Sequence, residues 1–248
     1  IAIGSDGSDT GSLGAEALGQ RSIAIGVDAQ STGIGAVAIG DAASATVNSA
    51  TALGDGAIAT TLNAVALGGA SSATGERSVS IGRGGDASGD FAIAIGADAI
   101  QSNATAIGQN ADASGDSALS LGAFALSSNN GASAVGSSAR ASASSSSAFG
   151  TGSSATGDSA TALGFAARAS GEQSIGIGVL ANAQGQDAIA IGADSVLDGD
   201  SDGAVASGIA SIAIGVDSDA IAQGSIALGE VSRSQQARAI AVGSGANA

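Results

Sequence analysis

Ser22-Ile23-Ala24-Ile25-Gly26-Val27-Asp28-Ala29 is answered 14 residues later by Ala36-Val37-Ala38-Ile39-Gly40-Asp41-Ala42-Ala43, and 14 later again by Ala50-Thr51-Ala52-Leu53-Gly54-Asp55-Gly56-Ala57. Each copy carries a triplet of large or hydroxyl, small, large that closes on a glycine. That glycine recurs from Gly4 to Gly243. The spacing of 14 is broken only by gaps of 22 (Gly4 to Gly26), 12 (Gly96 to Gly108) and 23 (Gly192 to Gly215). A short period held along a whole chain means stacked similar units, none of which buries its apolar face alone.

Within one period, residues 36–49 divide as five, two, five and two. Apolar residues alternate at a spacing of two, and glycine recurs too often for a helix interior, so two short strands joined by tight corners fit. Stacked copies then pair in parallel as a β-solenoid. The large places of the first strand form a ladder: Ile23/Ile25, Val37/Ile39, Val65/Leu67, Ile93/Ile95, Ile189/Ile191, Ile212/Ile214 and Ile226/Leu228. Some copies soften the first of these places to a hydroxyl, as at Thr51, Ser133, Ser147 and Thr161, while the second stays large. In the second strand, Ala29 and Ser31, Ala43 and Ala45, and their equivalents are small. The seventh place after the key glycine is often Gly again (Gly33, Gly75, Gly89, Gly157), read as suiting positive φ and close approach.

Alternation puts large and small residues on opposite faces. With the sheets held close by two-residue corners, Ala and Ser are expected inside the roll, and the ladder points outward as an oligomer interface. The competing arrangement puts the ladder inside as the core. An exposed apolar stripe marks an interface, and identical rods meeting along one stripe close most simply as a cyclic oligomer.

Composition narrows the function. The chain has no His or Cys, which removes the commonest metal ligands and nucleophile–base pairs. No cofactor is implied. A net charge of −15 argues against nucleic acid and anionic membrane surfaces. A sugar-cleaving solenoid enzyme would need clustered carboxylates and aromatic platforms, and there is no Trp or Tyr.

The copies at 22–29, 188–195 and 211–218 (Ser22-Ile23-Ala24-Ile25-Gly26, Ala188-Ile189-Ala190-Ile191-Gly192, Ser211-Ile212-Ala213-Ile214-Gly215) resemble the N-S-V-A-I-G-x-x-S head repeat of trimeric autotransporter adhesins, typified by the Yersinia adhesin. The resemblance runs in register over nearly the whole chain. It implies an all-β, left-handed parallel β-roll assembled as a parallel homotrimer on the outer membrane of a Gram-negative bacterium. It further implies partners such as a host extracellular matrix protein, collagen included, or the host cell surface. Residues 1–248 read as a single head domain, without heptads, a neck-like segment after Gly243 or barrel strands. Any membrane link is then expected to run through a C-terminal anchor outside this segment. The leading Asn of the collagen-associated version is replaced here by Arg21, Asp187 and Ala210 in the three best copies.

Irregularities fall near 5–21 and 193–210, where the period is lengthened. The second contains Asp198-Gly199-Asp200-Ser201-Asp202-Gly203, like the start of a calcium loop, but Ile209 stands where such a loop needs its Glu. It reads as a solvated acidic loop. The short gap from Gly96 to Gly108 reads as the loss of two outer-strand residues. Gly82-Arg83-Gly84-Gly85 lacks the helix and Lys of a phosphate loop and reads as a turn. Phe124 and Phe165 fall at corners, with packing between coils favoured over contact with a partner. The function expected is a non-enzymatic adhesive head. The alternative is an ice- or mineral-binding β-solenoid, against which stands the absence of any Thr-x-Thr.

Overall fold

The computed structural model describes residues 1–5, 14–195 and 202–248. It divides into two compact units, Ile1–Ala118 and Leu119–Ala248. Among the described residues there is no helix, and each unit is a parallel β-solenoid. In the first unit, strand Ile23–Ile25 pairs in parallel with Val37–Ile39, and that strand with Thr51–Leu53. On the opposite side Gln30–Ser31 pairs with Ser44–Ala45, which pairs with Ile58–Ala59. The second unit repeats the scheme, with Ile189–Ile191 on Ile212–Ile214 and Arg140–Ala141 on Ser154–Ala155.

The strands are shorter than the five residues expected, because the turns take up their ends. The regular corners are four-residue turns whose third residue is left-handed. Ala43 N–H donates to the Gly40 carbonyl (3.4 Å) and Ala50 N–H to the Val47 carbonyl (3.2 Å). Ala42 has φ 51° and Ser49 φ 58°. Positive φ at that place is the signature of a type II turn. The corners are also bonded from coil to coil: Ala42 N–H donates to the Val27 carbonyl (2.8 Å) and Ser49 N–H to the Ile34 carbonyl (2.9 Å).

The interior is built of alanine and serine. Ala24, Ala29, Ala38, Ala43 and Ala45 are 0 % exposed, and the largest fully buried side chains are serines. The ladder residues beside them are half-buried or exposed, as in the strand Ile23–Ile25, where only the central Ala24 is buried. The roll is too thin to hold Ile, so the arrangement with the ladder inside is not adopted. Most buried serine hydroxyls are satisfied locally: Ser71 Oγ donates to the Gly68 carbonyl (2.9 Å), Ser153 Oγ to Gly150 (2.8 Å) and Ser174 Oγ to Gly171 (2.7 Å). A hydroxyl that turns back on the first carbonyl of its own corner fills the core without leaving an unpaired donor.

The three irregular gaps share one location. Glu16–Ala17 pairs with Gln30–Ser31 and Ala2 with Ala24, so the first surplus falls between Gly4 and Glu16. Asn182 pairs with Val205, so the second falls between Gly192 and Val205. The short gap was expected in the outer strand, and the structure places it elsewhere. Ile81 pairs with Ile95 at the full period, whereas Asp86 pairs with Asp98. The two missing residues are therefore those of the corner after Gly96. There the strand Ile93–Ala99 runs on without a turn, and Gly96 makes the bend alone at φ 61°. Shortening the corner keeps Ala97 and Ala99 stacked on Ala111 and Ala113 inside the roll.

Candidate interaction surfaces

In the first unit the ladder places stack in register: Ile23 and Ile25 on Val37 and Ile39, Val65 and Leu67 on Val79 and Ile81, and these on Ile93 and Ile95. In the second unit Ile189 and Ile191 lie on Ile212 and Ile214, and these on Ile226 and Leu228. The large side chains of a column face outward from the alanine core, half-buried in some copies, as at Ile23 and Ile25, and exposed in others, as at Ile93 and Ile95. Each unit thus presents a continuous apolar stripe along one side. At Ser133, Ser147 and Thr161 the stripe narrows to one column, and Phe149 in the other column supplies the bulk.

The opposite, outer strands carry the polar and charged groups. In the first unit Asp86, Asp98 and Asp112 stack in register. Burial raises the Asp86 carboxyl above its usual value, the Asp98 charge adds to the rise, and hydrogen bonds from Ser72 and Ser88 oppose it. Among the described residues no cluster of three or more His, Cys, Asp or Glu is disposed to hold a metal ion.

Of the acidic run at 198–203, only Asp202 and Gly203 lie within the described residues. They line a concavity with Val205, Asp217, Asp219, Val231 and Arg233. Its charges are partly engaged. Arg233 donates through Nε (2.9 Å) and Nη2 (2.7 Å) to Asp219 Oδ2, and Asp217 Oδ1 accepts from Ser195 N–H (3.0 Å).

Three features were missed by reading along the chain. First, the place of the family's leading Asn is the left-handed residue of the second corner. Arg21, Asp187 and Ala210 there have φ 61°, 56° and 53°, and Asn63 and Asn103 occupy the same place in other copies. Asn suits that conformation, so its replacement bears on turn energetics before it bears on any ligand. Second, Phe124 (56 % exposed) and Phe165 (57 %) do not pack between coils, because left-handed and corner positions project from the roll. Phe91, also left-handed, takes the Arg77 guanidinium over its ring at 5.3 Å. Third, hydroxyls absent as Thr-x-Thr do line up across coils. The N–H groups of Thr32, Thr46, Thr60 and Thr74 bond in turn to Ala45, Ala59, Ala73 and Ala87 of the coils that follow, placing the four threonines in one outer column.

The seventh-place glycines also differ from expectation. Gly75 has no positive φ; a Cβ there would run into the carbonyl of Gly89 in the next coil, so close stacking selects it.

The model of the YadA head domain repeat matches the chain at residues 17–43, 31–57, 48–70, 59–84, 86–99, 99–125, 127–153, 141–167, 155–175, 169–195, 206–230 and 220–246. No curated protein is similar enough to the chain to be matched.

Proposed function

Because this chain belongs to the family of the YadA head domain repeat, we propose that it is the adhesive head of a bacterial outer-membrane protein, working as a parallel homotrimer and without catalysis. The observation that carries the reading is the outward apolar ladder. Ile23, Ile25, Val37, Ile39 and their successors are kept out of the roll by an interior whose largest fully buried side chains, among the described residues, are serines. A stripe of this kind is relieved when copies of the chain meet along it. The outer strands then face away from the axis and meet host matrix, cells or surfaces many times over, so attachment is avid through repetition.

The test is sedimentation of the protein at micromolar concentration, joined to a binding screen against matrix proteins, cells and abiotic surfaces. A trimer retained by one of these is expected; a monomer that adheres to none overturns the reading. One observation favours a second reading, an ice- or mineral-binding solenoid: the column Thr32, Thr46, Thr60 and Thr74. The neighbouring column there, Gln30, Ser44, Ile58 and Ser72, mixes its chemistry. Thermal hysteresis in a freezing assay would select this reading over the first.

A further inference from the structure

The charge on the second unit is not spread evenly. The chain carries 22 acidic residues, yet none falls between residues 119 and 157. Within the second unit, the outer strands Arg140–Ala141, Ser154–Ala155 and Arg168–Ala169 lie side by side in register. Arg140 and Arg168 therefore stand in one column with Ser154 between them, two strand spacings or about 9.6 Å apart. Both are exposed. Arg233, further along the same column, is tied to Asp219, while among the described residues Arg140 and Arg168 are in no ion pair.

Hydroxyls and exposed rings flank this pair. Ser142, Thr156 and Ser170 form the next column, held by N–H bonds to Ala155, Ala169 and Ala183. The exposed rings of Phe124 and Phe165 mark the corner edge of the same face. The acids nearest in sequence, Asp158 and Glu172, lie at the other corner, and Asp158 Oδ1 accepts from Ser144 N–H (3.2 Å).

We propose that the outer face from Arg140 to Arg168 binds an acidic polysaccharide, a chain of sugars bearing sulfate or carboxylate groups at intervals. Guanidinium groups pair with sulfate and carboxylate in fixed, forked geometry. Serine and threonine hydroxyls exchange hydrogen bonds with sugar hydroxyls, and phenyl rings accept the apolar faces of sugar rings. The interval matters: two cations separated by a neutral rung fit a polymer whose charges are spaced out along it. A nucleic acid carries a charge on every phosphate, a density that two cations separated by a neutral rung do not match. This inference rests on the reading of the chain as a binding head and names the ligand class for one part of its surface.

The experiment measures binding of the purified protein to immobilised chondroitin sulfate. Uncharged dextran and single-stranded DNA serve as comparisons. The wild type is set against Arg140→Gln, Arg168→Gln, the double variant and Arg21→Gln, with circular dichroism and sedimentation run on each. The expected result is salt-sensitive retention on chondroitin sulfate and none on dextran. Each of Arg140→Gln and Arg168→Gln should lose about tenfold in affinity, and Arg21→Gln should bind as the wild type. The proposal is overturned if the wild type ignores chondroitin sulfate, if the folded double variant binds undiminished, or if DNA binds as well with the same arginine dependence. A protein that adheres to matrix or cells while ignoring chondroitin sulfate defeats this inference and leaves the adhesive head standing. One that adheres to nothing defeats both.

Discussion

A Cβ placed on Gly68 would lie 2.7 Å from the carbonyl oxygen of Gly82, its counterpart one coil further on. The same residue has φ 130°, a conformation that side chains rarely adopt. Backbone strain and collision act together, and the carbonyl cannot yield without breaking the stack. Gly68→Ala should cost about 3 kcal/mol or more of unfolding free energy, read by denaturant melting. A loss below about 1 kcal/mol would mean that neighbouring coils can part, contrary to the parallel ladder described.

The opposite sign is expected at Ser78. It is fully buried, and its hydroxyl is without a hydrogen-bond partner, whereas Ser174 in the equivalent place donates to the Gly171 carbonyl. Alanine occupies that place in many copies and fits the space. Ser78→Ala should stabilise the protein by about 1 kcal/mol, while Ser174→Ala should be neutral or cost up to about 1 kcal/mol. Thermal melts of the two variants side by side check both signs.

Ala70 closes a corner at φ 54°. A left-handed residue with a Cβ costs about 1–2 kcal/mol, of which glycine's extra chain entropy takes back up to about 1. Ala70→Gly should therefore raise stability by roughly 0.5–1 kcal/mol. A melting temperature that drops instead would show that the side chain at this corner packs favourably.

Asp86, part-buried and stacked on Asp98, makes the first unit sensitive to acid in an unusual direction. The folded state holds Asp86 above its ordinary carboxylate value of 3.8, so it binds a proton more tightly than the unfolded chain does. In the window above 3.8 up to that raised value, stability is gained as pH falls and lost as pH rises. The melting temperature should climb as pH falls through that window, and Asp86→Asn should raise the value above the window and flatten the climb. A wild-type curve that declines steadily through this window would contradict the prediction.

Ile191 is half-buried on the outward ladder, beside the fully buried Ala190. Ile191→Asp should leave the β-structure of the single chain intact by circular dichroism and dissolve the proposed trimer. An uncompensated charge brought into an apolar interface costs several kcal/mol. An unchanged oligomer would remove the ladder from the interface.

The period and the large–small alternation made the solenoid legible, because parallel stacking at a fixed repeat leaves few other ways to bury Ala24 and Ala38. Which face was the interior was also readable, from the thinness implied by short corners. The corner conformations were not. Left-handed φ occurs here at Ala42, Ser49, Phe124 and Leu180, residues whose chemistry gives no hint of it; at Ala42, Ser49 and Leu180 it goes with an N–H bond to the preceding coil, at Val27, Ile34 and Phe165. The Arg140–Arg168 pair and the threonine column were invisible for another reason. Their members are neighbours across coils and strangers along the chain, so a search for motifs of adjacent residues passes over them.

Both lengthened gaps and the shortened one fall at the same corner, the one that follows the key glycine. Residues added or removed there leave Ile95 on Ile107 and Ala97 on Ala111, as they leave Ile191 on Ile214. That corner is a seam indifferent to length, since closing a longer loop between fixed ends costs little more than closing a short one. New surface can be spliced in at any coil without throwing the coils beyond it out of phase. The scaffold can therefore change what it displays while its ladder, and whatever docks on that ladder, keeps the same register.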